Sequence, residues 1–367
     1  MRYILSLFIL LCTAFASSAS VQERRVAILV SSYGEEGREN LSYDLEELAQ
    51  AYLVLYENGV KIDIISPKGG PVLVHNKKDD LPYIQKFKNE TPALKQLGAT
   101  LASDTVTSED YDGILVVGGD GAMFDLPVHE PTTFLINEFA AINKPITAVC
   151  HGPAALVNAK AADGSYLVSG RHVNSFTNLE EQAFGGDVID QLPFLLEDKL
   201  KERGAIYMKN APMLPYVAVD GSLITAQNPM AVANAAEALL VQLGITPKER
   251  QLFKDEATMK LVQEARISGP YLIDVALKKS PELYDLNYLA LYGFYSYKLA
   301  ESDEAKKLEL EIMQAVSRHF SHPMYSYGLI EALNEQGYPD KAHAEFNRAT
   351  TMYPESQELQ SLRTLFE

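Results

Sequence analysis

Short apolar runs alternate with amphipathic stretches along roughly the first two thirds of the chain. RRVAILVSS (24–32) is an apolar run that ends in small polar residues and predicts a buried parallel strand. In residues 42–57, Leu45, Leu48, Ala49, Tyr52 and Leu55 fall on one face at helical spacing. VKIDIIS (60–66) predicts a second strand, closed by Pro67 and Gly69-Gly70, and DGILVVGG (112–119) a third. Residues 131–143 read as a helix; Pro145 opens a fourth strand, PITAVC, with a further helix beginning near Gly152. Later strands are expected at 205–208 and 216–226, the latter with a turn at Val219-Asp220-Gly221, before an Ala-rich closing helix at 229–243. Strands alternating with helices predict an α/β fold with a doubly wound, mostly parallel sheet.

The pattern changes after Pro247, where only helical periodicity remains and tyrosines are frequent. In residues 323–356, Leu333, Gly337, Ala342, Phe346, Ala349 and Pro354 match the helix-packing positions of a tetratricopeptide unit. A looser copy spans about 286–320, with Gly293 and Ala305 in similar places. The expected domains are therefore an α/β domain over 20–246 and an all-α helical-repeat extension over 247–367. The alternative is a plain helical extension without repeats. A repeat array offers a groove for a protein or peptide partner.

The first 19 residues stand apart. Arg2 precedes an apolar run from Tyr3 to about Phe15, and small residues follow through Ala19. That order predicts a secretory signal peptide, too short for a membrane span, and hence a periplasmic or secreted protein. Cys12 would leave with it, so Cys150 becomes the one cysteine of the mature chain, and a dithiol pair is excluded. With 32 basic and 49 acidic residues the net charge is −17, which excludes nucleic acid and anionic lipid as partners. The chain has 367 residues, 47% of them hydrophobic, enough for a full core.

The chemistry concentrates in ITAVCHGPAAL (146–156). A cysteine on a tight strand-to-helix turn is lifted from the sheet, and a helix N-terminus behind it favours a thiolate. Gly152 gives the turn room, and His151 supplies an imidazole. The bland alternative is a buried structural cysteine beside an incidental histidine. In GILVVGGDGAMFDL (113–126) a strand runs into Gly118-Gly119-Asp120-Gly121. Without the Lys-Ser/Thr of a phosphate loop, this turn points to an oxyanion hole built from the amides of Gly119 and His151. His75, His129, His172, His319 and His322 lack a carboxylate frame, so no metal is expected, and no cofactor either.

These stretches resemble the ThiJ/PfpI superfamily, the class I glutamine amidotransferase-like proteins, over about residues 24–244. The A-V-C-H-G-P-A elbow carries most of the likeness. YDLEELAQAY (43–52), SPKGGP (66–71), GGDGAMFDL (118–126), NSFTNLEEQAFG (174–185), PFLLEDKLKERGA (193–205) and DGSLITAQNP (220–229) are most similar to the heat-shock chaperone and glyoxalase III branch. The resemblance implies a flavodoxin-like sheet, Cys150 as nucleophile and His151 as its base. It also implies Glu181 as the acid orienting that base and Glu47 as the carboxyl against the sulfur. Residue spacing alone leaves Glu46 and Glu180 as competitors. Asp120 stands where the branch usually has His, in the pocket with Gly118. True amidotransferases carry a late His-x-Glu pair; the only such spacing here, His343-Ala344-Glu345, falls in the extension.

The implied activity is cofactor-independent conversion of a small aldehyde, methylglyoxal to lactate, or a related deglycase chemistry. Two other functions remain open: a holdase-like chaperone or scaffold using the helical tail, and amide or peptide hydrolysis by the Cys-His pair. A homodimer is also left open.

Overall fold

The computed structural model describes residues 23–34, 38, 40–74 and 79–366. The expected signal segment and His75 lie outside the described residues. The strands are β1 (Arg25–Leu29), β2 (Lys61–Ser66), β3 (Leu101–Ala102), β4 (Gly113–Val116), β5 (Ile146–Val149), β6 (His172–Val173), β7 (Ile206–Tyr207), β8 (Val217–Asp220) and β9 (Leu223–Ala226). Seven form one sheet in the order β3-β2-β1-β4-β5-β9-β8, parallel throughout except for the antiparallel edge strand β8. The order reverses between β1 and β4, which leaves a crevice at the carboxyl ends of the strands.

Both faces of the sheet are covered, so the strands read as continuous apolar runs. The helices of this region are α1 (Leu45–Glu57), α2 (Pro82–Glu90), α3 (Ala93–Leu97), α4 (Ala122–Asp125), α5 (Glu130–Ala141), α6 (Asn178–Phe184), α7 (Leu196–Glu202) and α8 (Val232–Gln242). Val26, Ile28 and Ile64 face α1 and α8, while Ala27, Leu29 and Ile65 join the core that includes α5 and α7. The doubly wound fold expected from the sequence is the observed one.

Two expected strand regions are present in particular places, and one expected element differs. The 205–208 strand pairs with β6 in a separate two-stranded sheet. The 216–226 segment is a hairpin whose second arm, β9, inserts beside β5, leaving β8 at the edge. The helix expected near Gly152 is a 3-10 segment, Gly152–Leu156, with Ala154 N–H donating to His151 and Val157 N–H to Ala154. Its small residues let it press against β4: a Cβ on Gly152 would stand 2.5 Å from the Val116 carbonyl oxygen.

From Lys254 onward the described chain is helical: α9 (Lys254–Ser268), α10 (Tyr271–Lys279), α11 (Leu286–Leu299), α12 (Asp303–Ser317), α13 (Pro323–Glu335), α14 (Pro339–Met352) and α15 (Gln357–Ser361). Leu333, Ala342, Phe346 and Ala349 are buried between these helices. Gly293 lets α13 approach α11 closely, since a Cβ there would meet the Tyr325 hydroxyl at 2.2 Å. The extension's apolar core also takes in Met213, Leu214 and Met230 from the α/β region. No described helix is long and apolar enough to cross a membrane.

Polar contacts join the two regions as well. The Gln50 amide on α1 donates to Asp255 Oδ2 on α9 at 2.7 Å, deep in the junction. Burial pushes Asp255 up from 3.8 to about 6, with Gln50 opposing the rise. A carboxyl whose folded pKa lies above its unfolded one binds more protons when folded, so its contribution to stability declines as pH rises between the two values. Asp255→Asn should therefore weaken the fall in stability between about pH 4 and 6 relative to wild type. Urea melts across that range measure it.

Candidate active site

Cys150 follows β5 and adopts φ 56°, a left-handed conformation unusual for a side chain other than glycine. Two hydrogen bonds hold it there: its N–H donates to the Ala226 carbonyl at the end of β9 (2.8 Å), and its carbonyl accepts from the Phe176 N–H (2.9 Å). The thiol is buried and lies 3.8 Å from His151 Nδ1. The turn after β4 packs directly beneath. A Cβ on Gly118 would fall 2.7 Å from the His151 nitrogen and 2.9 Å from Cys150 Cβ. Gly119, at φ 92°, lies equally close to the Ser42–Asp44 backbone. Glycine is required at both positions for backbone to meet backbone.

Helix α1 delivers Glu47 from the other side. Asp44 caps that helix, accepting from the Glu47 N–H at 3.0 Å, while its own N–H donates to the Gly118 carbonyl at 3.1 Å. Glu47 is 1% exposed, accepts from the Gly118 N–H at 2.8 Å and meets the Cys150 thiol. Burial, then the Asp44 charge, pushes its carboxyl well above the usual range, which favours the protonated form. Burial, then the Glu47 carboxyl that bonds it, likewise pushes the Cys150 thiol up. This runs against the sequence expectation of a thiolate favoured by a helix N-terminus: the segment behind the sulfur is a single 3-10 turn, and desolvation outweighs it.

His151 Nε2 bonds Glu181 on α6, and its Nδ1 stands 3.7 Å from Asp120 Oδ1. Burial disfavours the charged imidazole, but Glu181, then Asp120 and Glu47, outweigh it and raise His151 to about 9. The Gly118 amide is already given to Glu47, and Gly119 and His151 both line the cavity beside Cys150. All the expected site residues (Cys150, His151, Glu47, Glu181, Gly118, Gly119 and Asp120) meet at one place.

The structure also separates the acids that spacing left in competition. Glu46 points away from the sulfur and accepts from the Tyr83 hydroxyl at 3.0 Å. Glu180 caps its own helix through Thr177 and accepts from Met213 N–H (2.8 Å) and the Asn228 amide (2.9 Å). The other described histidines have local partners. His129 caps α5, His172 meets Asp220, His319 meets Asp274, and His322 caps α13. His343 stacks on Phe366 within the extension, and no group of three or more potential metal ligands occurs among the described residues.

The cluster opens into a cavity of about 230 Å³ lined also by Tyr43, Phe176, Phe184 and Pro229, none of which the sequence analysis singled out. The Phe176 ring packs 4.8 Å from the imidazole. Asp44 had a legible signal, an N-cap residue three before Glu47; the aromatic lining residues had none.

A model of the DJ-1/PfpI family matches residues 39–242. The chain belongs to the DJ-1/PfpI family. A Schizosaccharomyces pombe relative named glutathione-independent glyoxalase hsp3102 is 28% identical over 243 residues, covering 61% of this chain and 100% of that protein. The X-ray structure of the Francisella tularensis Rapid Encystment Protein 24 KDa superposes with a TM-score of 0.56 at 30% identity, covering 60% of this chain and 99% of that one. A glyoxalase III from Candida albicans shares the fold, with a TM-score of 0.53 at 21% identity over 60% of this chain and 97% of that one.

The Glu181 contact is directly testable. Glu181→Gln removes the charge that keeps the imidazole protonated, so His151 should titrate well below its value of about 9. Histidine NMR across pH 5–10, on the order of the range that brackets ordinary and raised imidazoles, reads the change.

Proposed function

We propose that this protein is a glutathione-independent glyoxalase that converts methylglyoxal and water to lactate without a cofactor. One observation carries the reading: the Cys150 thiol, the Glu47 carboxyl and the His151 imidazole, with Glu181 and Asp120 beside the ring, converge on a single small cavity. The names of its relatives support it.

In this reading the Cys150 sulfur adds to the aldehyde carbon, and the thiol proton passes to the aldehyde oxygen, giving a hemithioacetal. In the same reading the Gly119 and His151 amides, both beside the sulfur, stabilise that oxygen as charge develops. A base then removes the C–H proton of the former aldehyde carbon, and a proton is returned to the neighbouring carbon as its carbonyl becomes an alcohol. Glu47 is the group in reach: it gives its proton to the neighbouring carbonyl oxygen, takes the C–H proton as a carboxylate and delivers it to the neighbouring carbon. It recovers its own proton from the hemithioacetal hydroxyl, while the His151 imidazolium steadies the negative charge. The product is a lactoyl thioester of Cys150. Water cleaves it to lactate and regenerates the thiol, so the reaction balances with no oxidant or reductant. Asp120 adds negative charge beside the imidazole, which favours a neutral dicarbonyl over an anionic substrate.

A second reading, a holdase-like chaperone, draws support from a groove of about 430 Å³ on the extension, lined by Leu291, Phe294, Tyr295, Phe320 and Met324.

Lactate formation from methylglyoxal without glutathione should be abolished in Cys150→Ser and fall about 100-fold or more in Glu47→Gln and His151→Ala. Cys150→Ser should melt within a few degrees of wild type. No turnover by the wild-type protein refutes the glyoxalase reading, and full activity in Cys150→Ser refutes the site. We further propose export with loss of residues 1–19. Intact mass should then show a chain beginning near Ser20 that takes up a single thiol adduct on denaturation; a retained leader or two adducts overturns this.

A further inference from the structure

One tail helix touches both of the helices that carry the acids of the site. The Tyr288 hydroxyl of α11 donates to Glu46 Oε2 at 3.3 Å, beside Glu47 on α1. Two turns later the Tyr295 ring meets Phe184 edge-on, with centroids 4.9 Å apart. Phe184 lies one turn beyond Glu181 on α6 and lines the cavity. Positions seven apart share a helix face, so one face of α11 reaches from α1 to α6.

Two further struts run alongside. Gln50 on α1 bonds Asp255 on α9. Met213 buries its side chain in the extension's core while its N–H donates to Glu180 Oε1, and its backbone takes φ 66° to do both. Glu47 and Glu181 thus each have a neighbour in sequence, Glu46 and Glu180, that is tied to the extension.

We propose that the helical extension is a positioning element of the active site: α11 clamps α1 and α6 at the spacing that brings Glu47 and Glu181 against Cys150 and His151, and Tyr295 sets the cavity mouth through Phe184. The roles of the acids rest on the glyoxalase reading, whereas the clamp itself does not. The physical warrant is sensitivity to distance, since a reacting group displaced by about 1 Å costs on the order of 100-fold in rate. Glu181, Asp120, Glu47 and the Cys150 thiol all face the imidazole, and of these Glu181 rides on the helix that Tyr295 contacts. Loosening α6 therefore weakens the hold of Glu181 on the imidazole proton.

The test compares full-length wild type with Tyr295→Ala, Tyr295→Phe and Tyr288→Phe. Two readouts are needed: the pH profile of Cys150 alkylation by iodoacetamide, and kcat and KM for methylglyoxal and the bulkier phenylglyoxal. Tyr295→Ala should lower the pH at which the His151-linked step titrates from near 9. It should also reduce kcat for methylglyoxal about 10-fold, with a smaller loss for phenylglyoxal because the mouth widens. Tyr295→Phe, which keeps the ring contact, should restore both readouts, and Tyr288→Phe should shift the alkylation profile in the same direction by less. If Tyr295→Ala fails to fold, Tyr295→Leu replaces it. Unchanged alkylation profiles and kcat, with only the melting temperature reduced, overturn the clamp. A shifted alkylation profile in a protein that does not turn over methylglyoxal supports the clamp and refutes the glyoxalase reading alone.

Discussion

The backbone of Cys150 is the constraint on which the rest of the site depends. A non-glycine residue at φ 56° is held against its own preference, on the order of 1 kcal/mol or more, by bonds to Ala226 and Phe176. Those bonds come from opposite sides, one from the neighbouring strand and one from the segment that leads into α6. The same turn therefore fixes the sulfur beside His151 and ties β5 to the segment that leads into α6. Gly118 and Gly152 serve this arrangement, since a side chain at either would collide with the neighbouring turn or strand, and Gly119 likewise admits the Ser42–Asp44 backbone.

Around that turn the chemistry is governed by desolvation. Glu47, Cys150, His151 and Glu181 are all buried, and their charges are set by one another more than by water. Glu47 and the thiol are pushed toward their neutral forms, while the imidazole, with Glu181 on one side and Asp120 on the other, is pushed toward its cation. Separation of proton affinities in this way lets one small pocket hold an uncharged carboxyl beside a charged imidazole.

Much of this was legible in the sequence, for reasons that can be named. Parallel strands buried on both faces are continuous apolar runs, so β1, β2, β4 and β5 stood out, and a Cys-His-Gly-Pro run after such a strand marked the turn. Spacing could not choose between Glu46 and Glu47, or between Glu180 and Glu181. Adjacent helical positions point about 100° apart, and here both members of each pair are buried, one toward the sulfur or imidazole and the other toward a structural partner. Nor could local pattern place β9 beside β5, or show that Met213 and Met230 belong to the extension's core. Those are long-range pairings. The short β3 and the 3-10 turn behind Cys150 were hidden for the opposite reason: they are too brief to leave a periodicity.

The insertion of β9 between β5 and the edge strand has a kinetic consequence. The carbonyl that pins Cys150 belongs to the end of that strand, far along the chain from the cysteine. As the polypeptide emerges from the ribosome, β5 has only one neighbour until the hairpin has been made, and until then the cysteine turn lacks its bond to Ala226. The reactive sulfur is therefore assembled among the last parts of the α/β sheet, by a contact of large sequence separation that closes slowly. A chain interrupted before that point would carry an ordinary thiol on an open sheet edge, which is both chemically inactive and prone to pair with another strand.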